Sequence, residues 1–226
     1  MNAPGRSKGN GPPRRPEVRE VVRRQRDIAG DPSEDGQRKG FRGWHERGYV
    51  PHRDEPGLIQ FVTFRLADSF PSELREEWER LLKIEDDRKR RIELEAWLDL
   101  GKGACWLKDE RVATVVAEAL RHFDGERYRL LAWVIMPNHV HVLVKTDQVP
   151  LSKIVRTWKQ FTARKANAIL GHSGAVWQAD YWDTFVRDAD HELKTIRYIR
   201  ENPVKAGLVK CWKDWPWGHW NFRSNE

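Results

Sequence analysis

The chain has 226 residues, 39% hydrophobic and 33% charged, which fits one globular domain with a substantial core and polar ends. Its formal charge of +7, a pI of about 9.5 and 12 tryptophans favour polyanionic partners and offer aromatic faces to unpaired bases. No apolar run approaches a membrane span, the N-terminus lacks a signal region, and two distant cysteines, Cys105 and Cys211, rule against a disulfide framework or a zinc cluster. The expectation is a cytoplasmic protein, nucleoid-associated if it binds DNA.

Residues 1–42 mix Gly, Pro, Arg and Asp without apolar periodicity and are expected to form a disordered basic arm, with order beginning near Trp44. Leu58 to Leu66 alternates, yet neither face is fully polar, so it reads as a strand covered on both sides. From Ser72 to about Leu100 the chain is charged and helical, with Leu74, Trp78, Leu81 and Leu82 at helical spacing after a Pro71-Ser72 start signal. Gly101-Lys102-Gly103 lacks the spacing of a phosphate-binding loop and reads as a connector. A helix from Asp109 to about Phe123 carries Val112, Val115, Val116, Ala119 and Leu120 on one stripe.

Leu130 to Met136 and His139 to Val144 read as two strands folded back at Pro137-Asn138, since both turn residues are flanked by apolar and β-branched runs. Strand side chains alternate, so His139 and His141 share one face while Val140, Val142 and Val144 share the other. Two neighbouring imidazoles on a sheet surface make half of a metal site.

Ser152 to Leu170 is amphipathic, with Ile154, Val155, Trp158, Phe161 and Ile169 expected inward and Gly171 closing the helix. Thr184 to Arg187 reads as a short strand, and Asp190 as the cap of a helix from His191 to Glu201. The order is therefore β-α-β-β-α-β-α. This is an α+β fold, a ferredoxin-like antiparallel sheet (βαββαβ) with an added C-terminal helix. The Trp-rich tail after Lys210 is expected to pack over the domain.

In the last helix Leu193, Ile196 and Ile199 are expected to form the buried stripe, with Tyr198 and Asn202 one turn apart on another face and Lys194 one turn back. Asn202 admits two readings that do not exclude each other. It can ligate a metal, or cap a short turn that continues as Pro203-Val204-Lys205-Ala206-Gly207.

The residues now in hand resemble the REP-associated tyrosine transposases, within the single-tyrosine HUH superfamily, where HUH denotes histidine, a hydrophobic residue and histidine. The resemblance covers most of the ordered chain. It runs through Trp44-His45-Glu46-Arg47-Gly48-Tyr49 with Pro51-His52, FVTFRLADS from Phe61, AWVIMPNHVHVLV from Ala132, and Trp158-Lys159 with Phe161-Thr162-Ala163. It continues through Val176-Trp177-Gln178 with Tyr181 and Asp183, and YIRENPVKAGLV from Tyr198. It implies an HUH endonuclease domain over residues 43–210, interrupted by the charged helical insertion at about 72–100, with 1–42 as arm and 211–226 as tail. It also implies that Tyr198 is the nucleophile and that His139, His141 and Asn202 hold a divalent metal, Mg²⁺ or Mn²⁺. Tyr181 is the competing nucleophile.

The implied substrate is single-stranded or hairpin DNA of the repetitive extragenic palindromes, cut and rejoined through a 5′-phosphotyrosine that leaves a free 3′-OH. A phenol, with a pKa near about 10, is a weak nucleophile until a metal or base assists it. Lys159, Arg187, Arg197 and Lys205 are candidate contacts to the DNA backbone. The implied protein works as a monomer or homodimer and requires neither a membrane nor a protein partner. Three alternatives remain open: a domesticated hairpin-binding protein without cleavage, a replication-type HUH nickase, and a metal-dependent hydrolase with water as nucleophile.

Overall fold

The computed structural model describes residues 16–46, 51–69 and 87–220. Its strands are β1 (Gly43–Glu46), β2 (Pro51–Asp54), β3 (Leu58–Arg65), β4 (Arg129–Ile135), β5 (His139–Thr146), β6 (Trp182–Phe185) and β7 (Gly218–Trp220). Its helices are α1 (Pro16–Ala29), α2 (Glu34–Lys39), α3 (Asp87–Asp99), α4 (Glu110–Arg121), α5 (Leu151–Leu170) and α6 (Ala189–Lys205). The apolar positions expected at Leu74, Trp78, Leu81 and Leu82, the Pro71-Ser72 start, Arg47-Gly48-Tyr49, residues 1–15 and the last six residues lie outside the described part of the chain.

The main sheet has the order β6-β3-β5-β4-β7, and every neighbouring pair is antiparallel. Without β7 this is the expected βαββαβ arrangement. β5 lies in the middle and is buried along nearly its whole length. Its alternation sorts the two cores. Val140, Val142 and Val144 meet Val112, Val116 and Leu120 of α4 and Ile154, Val155 and Trp158 of α5. On the other face Leu143 joins Phe61, Val134 and Met136 beneath Ile196 and Ile199 of α6. A bulge in β4 between Leu130 and Ala132 lets Leu131 and Ala132 both serve the α6 face, while Leu130 and Trp133 serve the other.

Several expectations change. The described part of the presumed disordered arm is ordered: α1 packs on the β1–β2 hairpin, Lys153 of α5 donates to the Lys39 carbonyl of α2 at 3.3 Å, and Val22 and Phe41 are buried. Arg26 donates to the Trp44 carbonyl, and Arg19 to Glu46 at 2.8 Å. These few apolar anchors are diluted by a polar, Gly/Pro-rich composition, so composition alone reads the segment as disordered. Phe161 is 38% and Leu193 53% exposed. At about 100° per residue, Phe161 sits roughly 90° and Leu193 roughly 120° away from the middle of its helix's buried face.

The cap of α6 is Asp188, not Asp190, and its side chain accepts from the His191 N–H at 2.7 Å. Asn202 caps nothing. α6 runs through Pro203 to Lys205, and Asn202 and Pro203 are both buried within it. Packing of that face against the sheet outweighs the one helical hydrogen bond a proline forfeits. The Trp-rich tail does pack: Trp215 donates to the Ile135 carbonyl, and Trp217 accepts from the Ile135 N–H at 2.8 Å. It then adds β7 to the sheet edge. Cys105 and Cys211 are free thiols, and no described helix is long and apolar enough to cross a membrane.

Because Asp188 starts the helix that bears Tyr198 and Asn202, Asp188→Ala is expected to cost about 1 kcal/mol. Urea unfolding should show a lower midpoint with an unchanged slope.

Candidate active site

His139 and His141 are both fully buried, and their Nε2 atoms face one another at 3.1 Å. Each far nitrogen is held. His139 Nδ1 lies 2.7 Å from Asn138 Oδ1, and His141 Nδ1 lies 2.8 Å from Thr63 Oγ1. The Asn138 amide nitrogen already donates to the Leu98 and Lys102 carbonyls, so its oxygen is the group turned to the ring. His139 is therefore the Nδ1–H tautomer, and its bare Nε2 accepts from His141 Nε2–H. Thr63 then donates to His141 Nδ1. Burial, with the Arg65 charge as the smaller cause, pushes the His139 pKa down to about 3. A neutral imidazole with its far nitrogen tethered is the state a metal ligand needs.

α6 brings the remaining groups. The Tyr198 ring lies 5.5 Å from His141 and meets Phe61 edge-on at 5.8 Å. One turn on, Asn202 is fully buried within α6, and neither amide atom has a hydrogen-bond partner among the described residues. An orphaned buried amide costs about 1–3 kcal/mol, so it needs a reason.

Two nitrogens about 2.1 Å from one ion, at roughly a right angle, stand about 3.0 Å apart, close to the observed Nε2 separation. Among the described residues no third His, Cys, Asp or Glu completes a cluster, and a buried carboxamide oxygen without a partner, such as that of Asn202, is the kind of oxygen donor a hard divalent ion takes. The residues thus fit a divalent ion. Holding it through both imidazoles requires His141 to shift its proton to Nδ1, with Thr63 turning from donor to acceptor.

The other candidates separate. Tyr181 is buried in the core on the opposite face of the sheet, with its ring 5.9 Å from His52. Lys194 is exposed and pairs with Asp190 at 2.6 Å. Lys159 Nζ donates to the Gln178, Ala179 and Asp180 carbonyls, fastening the loop before β6. Arg187 and Arg197 are exposed. Lys205 is exposed too, and its Nζ lies 4.9 Å from the centre of the Tyr198 ring. The second histidine group, His45 stacked on His52 with His52 bonded to Asp183, fastens the β1–β2 hairpin to β6.

Thr63, Arg65, Asn138 and Asp99 were missed in the sequence. The first two stand opposite His141 and His139 in the β3–β5 register. Asp99 ends α3 beside the Leu98 carbonyl that Asn138 holds. Its Oδ1 is buried without a hydrogen bond, and burial raises its pKa to about 6 although Lys205 pulls it back.

Residues 106–202 match the family model described as Transposase IS200 like. A REP-associated tyrosine transposase of Escherichia coli K12 is 32% identical over 130 residues, covering 51% of this chain and 75% of the relative. The chain belongs to this family. A candidate REP-associated tyrosine transposase of Haemophilus influenzae is 29% identical over 101 residues, covering 40% of this chain and 57% of that relative's length. A solved REP-associated tyrosine transposase bound to a REP hairpin aligns at 21% identity with a TM-score of 0.42, covering 77% of this chain and 80% of its own.

Two stability outcomes follow from the orphaned groups. Asn202→Leu should raise the unfolding free energy by about 1 kcal/mol, because it removes an unsatisfied amide from a buried position. Asp99 has a folded pKa above its unfolded value of about 3.9. The stability of its protonated form is therefore complete below about pH 4 and lost as pH rises through about 6. Asp99→Asn should stabilise the protein by on the order of 1 kcal/mol at pH 8, after allowance for partial exposure, with the gain fading towards pH 4. Thermal melts across that range check both.

Proposed function

We propose that the chain is a DNA endonuclease and strand transferase that cuts and rejoins single-stranded, hairpin-bearing DNA of the REP type, working in the cytoplasm on the nucleoid. The observation that carries this reading is the pair of converging Nε2 atoms 3.1 Å apart, with the Tyr198 ring 5.5 Å from one of the imidazoles. Family membership supports the chemistry and the class of substrate. The charge of +7 supports a polyanion, and Arg187 and Arg197 are proposed to follow its backbone.

His139, His141 and Asn202 would hold the divalent cation, Mg²⁺ or Mn²⁺. When bound, that ion supplies Lewis acidity to the scissile phosphate. Asn138 and Thr63 keep the imidazoles oriented through their Nδ1 atoms. Tyr198 attacks phosphorus through its phenol oxygen and releases its proton. The bond from phosphorus to the 3′ oxygen breaks, and that oxygen takes up a proton. One phosphodiester is exchanged for another, so the 5′-phosphotyrosine keeps the energy needed for rejoining and no nucleotide cofactor is consumed.

The test uses labelled hairpin oligonucleotides with randomised single-stranded flanks, incubated with Mg²⁺ or Mn²⁺. A protein–DNA adduct that resists denaturation is expected from wild type and not from Tyr198→Phe. Cleavage without an adduct, unchanged in the variant, would establish a hydrolase instead.

A further inference from the structure

Lys205 is the last residue of α6, two turns after Tyr198, and its ammonium rests 4.9 Å from the centre of that ring. A lysine at a helix C-terminus is stabilised by the dipole alone. That does not account for its direction, since the chain could equally send it to water. Its surroundings are also particular. Among the described residues Lys205 forms no ion pair, unlike Lys194 on Asp190 or Arg200 on Glu201. Asp99, a partly buried carboxylate, senses the Lys205 charge, and no ion pair joins the two. Asp99 is itself anchored at the site, because the preceding carbonyl, Leu98, accepts from the Asn138 amide that orients His139. The cation is thus steered onto the nucleophile's ring and left with donors to give.

We infer that Lys205 is a catalytic residue: its ammonium donates to a non-bridging oxygen of the phosphate that Tyr198 attacks. This rests on the reading of Tyr198 as nucleophile. In the step, a bond from the Tyr198 oxygen to phosphorus forms and the bond to the 3′ oxygen breaks. The phenol proton leaves, a proton reaches the 3′ oxygen, and the lysine keeps all of its own. Its contribution is charge: the phosphoryl oxygens are most exposed to stabilisation when both bonds are partial, and a fixed cation there needs no reorganisation.

The experiment is single-turnover adduct formation on the cleaved oligonucleotide, with the scissile position carrying either a normal phosphate or one stereopure phosphorothioate at a time. Lys205→Met is expected to slow adduct formation about a hundredfold while gel-shift affinity changes less than about threefold, and Lys205→Arg to stay within about tenfold of wild type. Sulfur accepts hydrogen bonds poorly, so one diastereomer should slow wild type by about tenfold and slow Lys205→Met no further, the non-additivity expected of two changes to one contact. Losses that multiply for both diastereomers, or a loss confined to affinity, would overturn the assignment. An adduct that survives Tyr198→Phe, or none from wild type, would instead overturn the nucleophile and this inference with it. An adduct lost in Tyr198→Phe and unchanged in Lys205→Met would remove the lysine alone.

Discussion

Asn138 joins three parts of the chain that are distant in sequence. Its nitrogen holds the carbonyls of Leu98 and Lys102 where α3 ends, its oxygen holds His139 Nδ1, and its backbone carbonyl accepts from Leu66 at the end of β3. The side chain is fully buried, so each bond forms away from competing water. The ring orientation at the site, the exit from the charged insertion and the join between β3 and the hairpin all depend on this one turn residue. Gly103 shows how tight the join is: its φ is +89°, and a Cβ there would stand 2.6 Å from the Asp68 carbonyl oxygen.

The site spends stability to hold its groups ready. The His139 imidazole is kept neutral in the interior, the Asn202 amide lacks partners among the described residues, and the Asp99 carboxylate ends a helix whose dipole disfavours an anion. On the opposite face, valines and aromatic side chains fill a conventional core, and Trp158 and Tyr128 satisfy one another at 2.9 Å. The α6 side carries the polar groups of the candidate site, although the opposite core also buries an unpartnered Trp133 Nε1. This is the division expected where packing supplies stability and chemistry consumes it.

What the sequence made legible was what depends on short spacings. The period of two in His139-Val140-His141 and the four-residue step from Tyr198 to Asn202 each place side chains without knowledge of the rest of the fold. The strand order also followed, from alternating element types and short connections. Thr63 and Arg65 stayed hidden because their role needs the register between β3 and β5, a pairing across 78 residues in the case of Thr63 and His141. Asn138 looked like an ordinary turn former, and Asp99 was lost in a run of charges. Asn202 misled through its neighbour, since Asn-Pro is a strong boundary signal and only tertiary packing carries the helix past it. The N-terminal helices failed for the opposite reason: two anchors, Val22 and Phe41, suffice to dock a segment whose average composition is polar.

α6 leaves the sheet at β6, one edge of the order, and the chain after it returns as β7 at the other. Only residues 186–188 separate β6 from α6, and Trp215 and Trp217 grip Ile135 before β7 begins. The helix is thus tied at both ends to edge strands of its own sheet. The Tyr198 ring is in that sense captive, held 5.5 Å from a histidine of its own sheet.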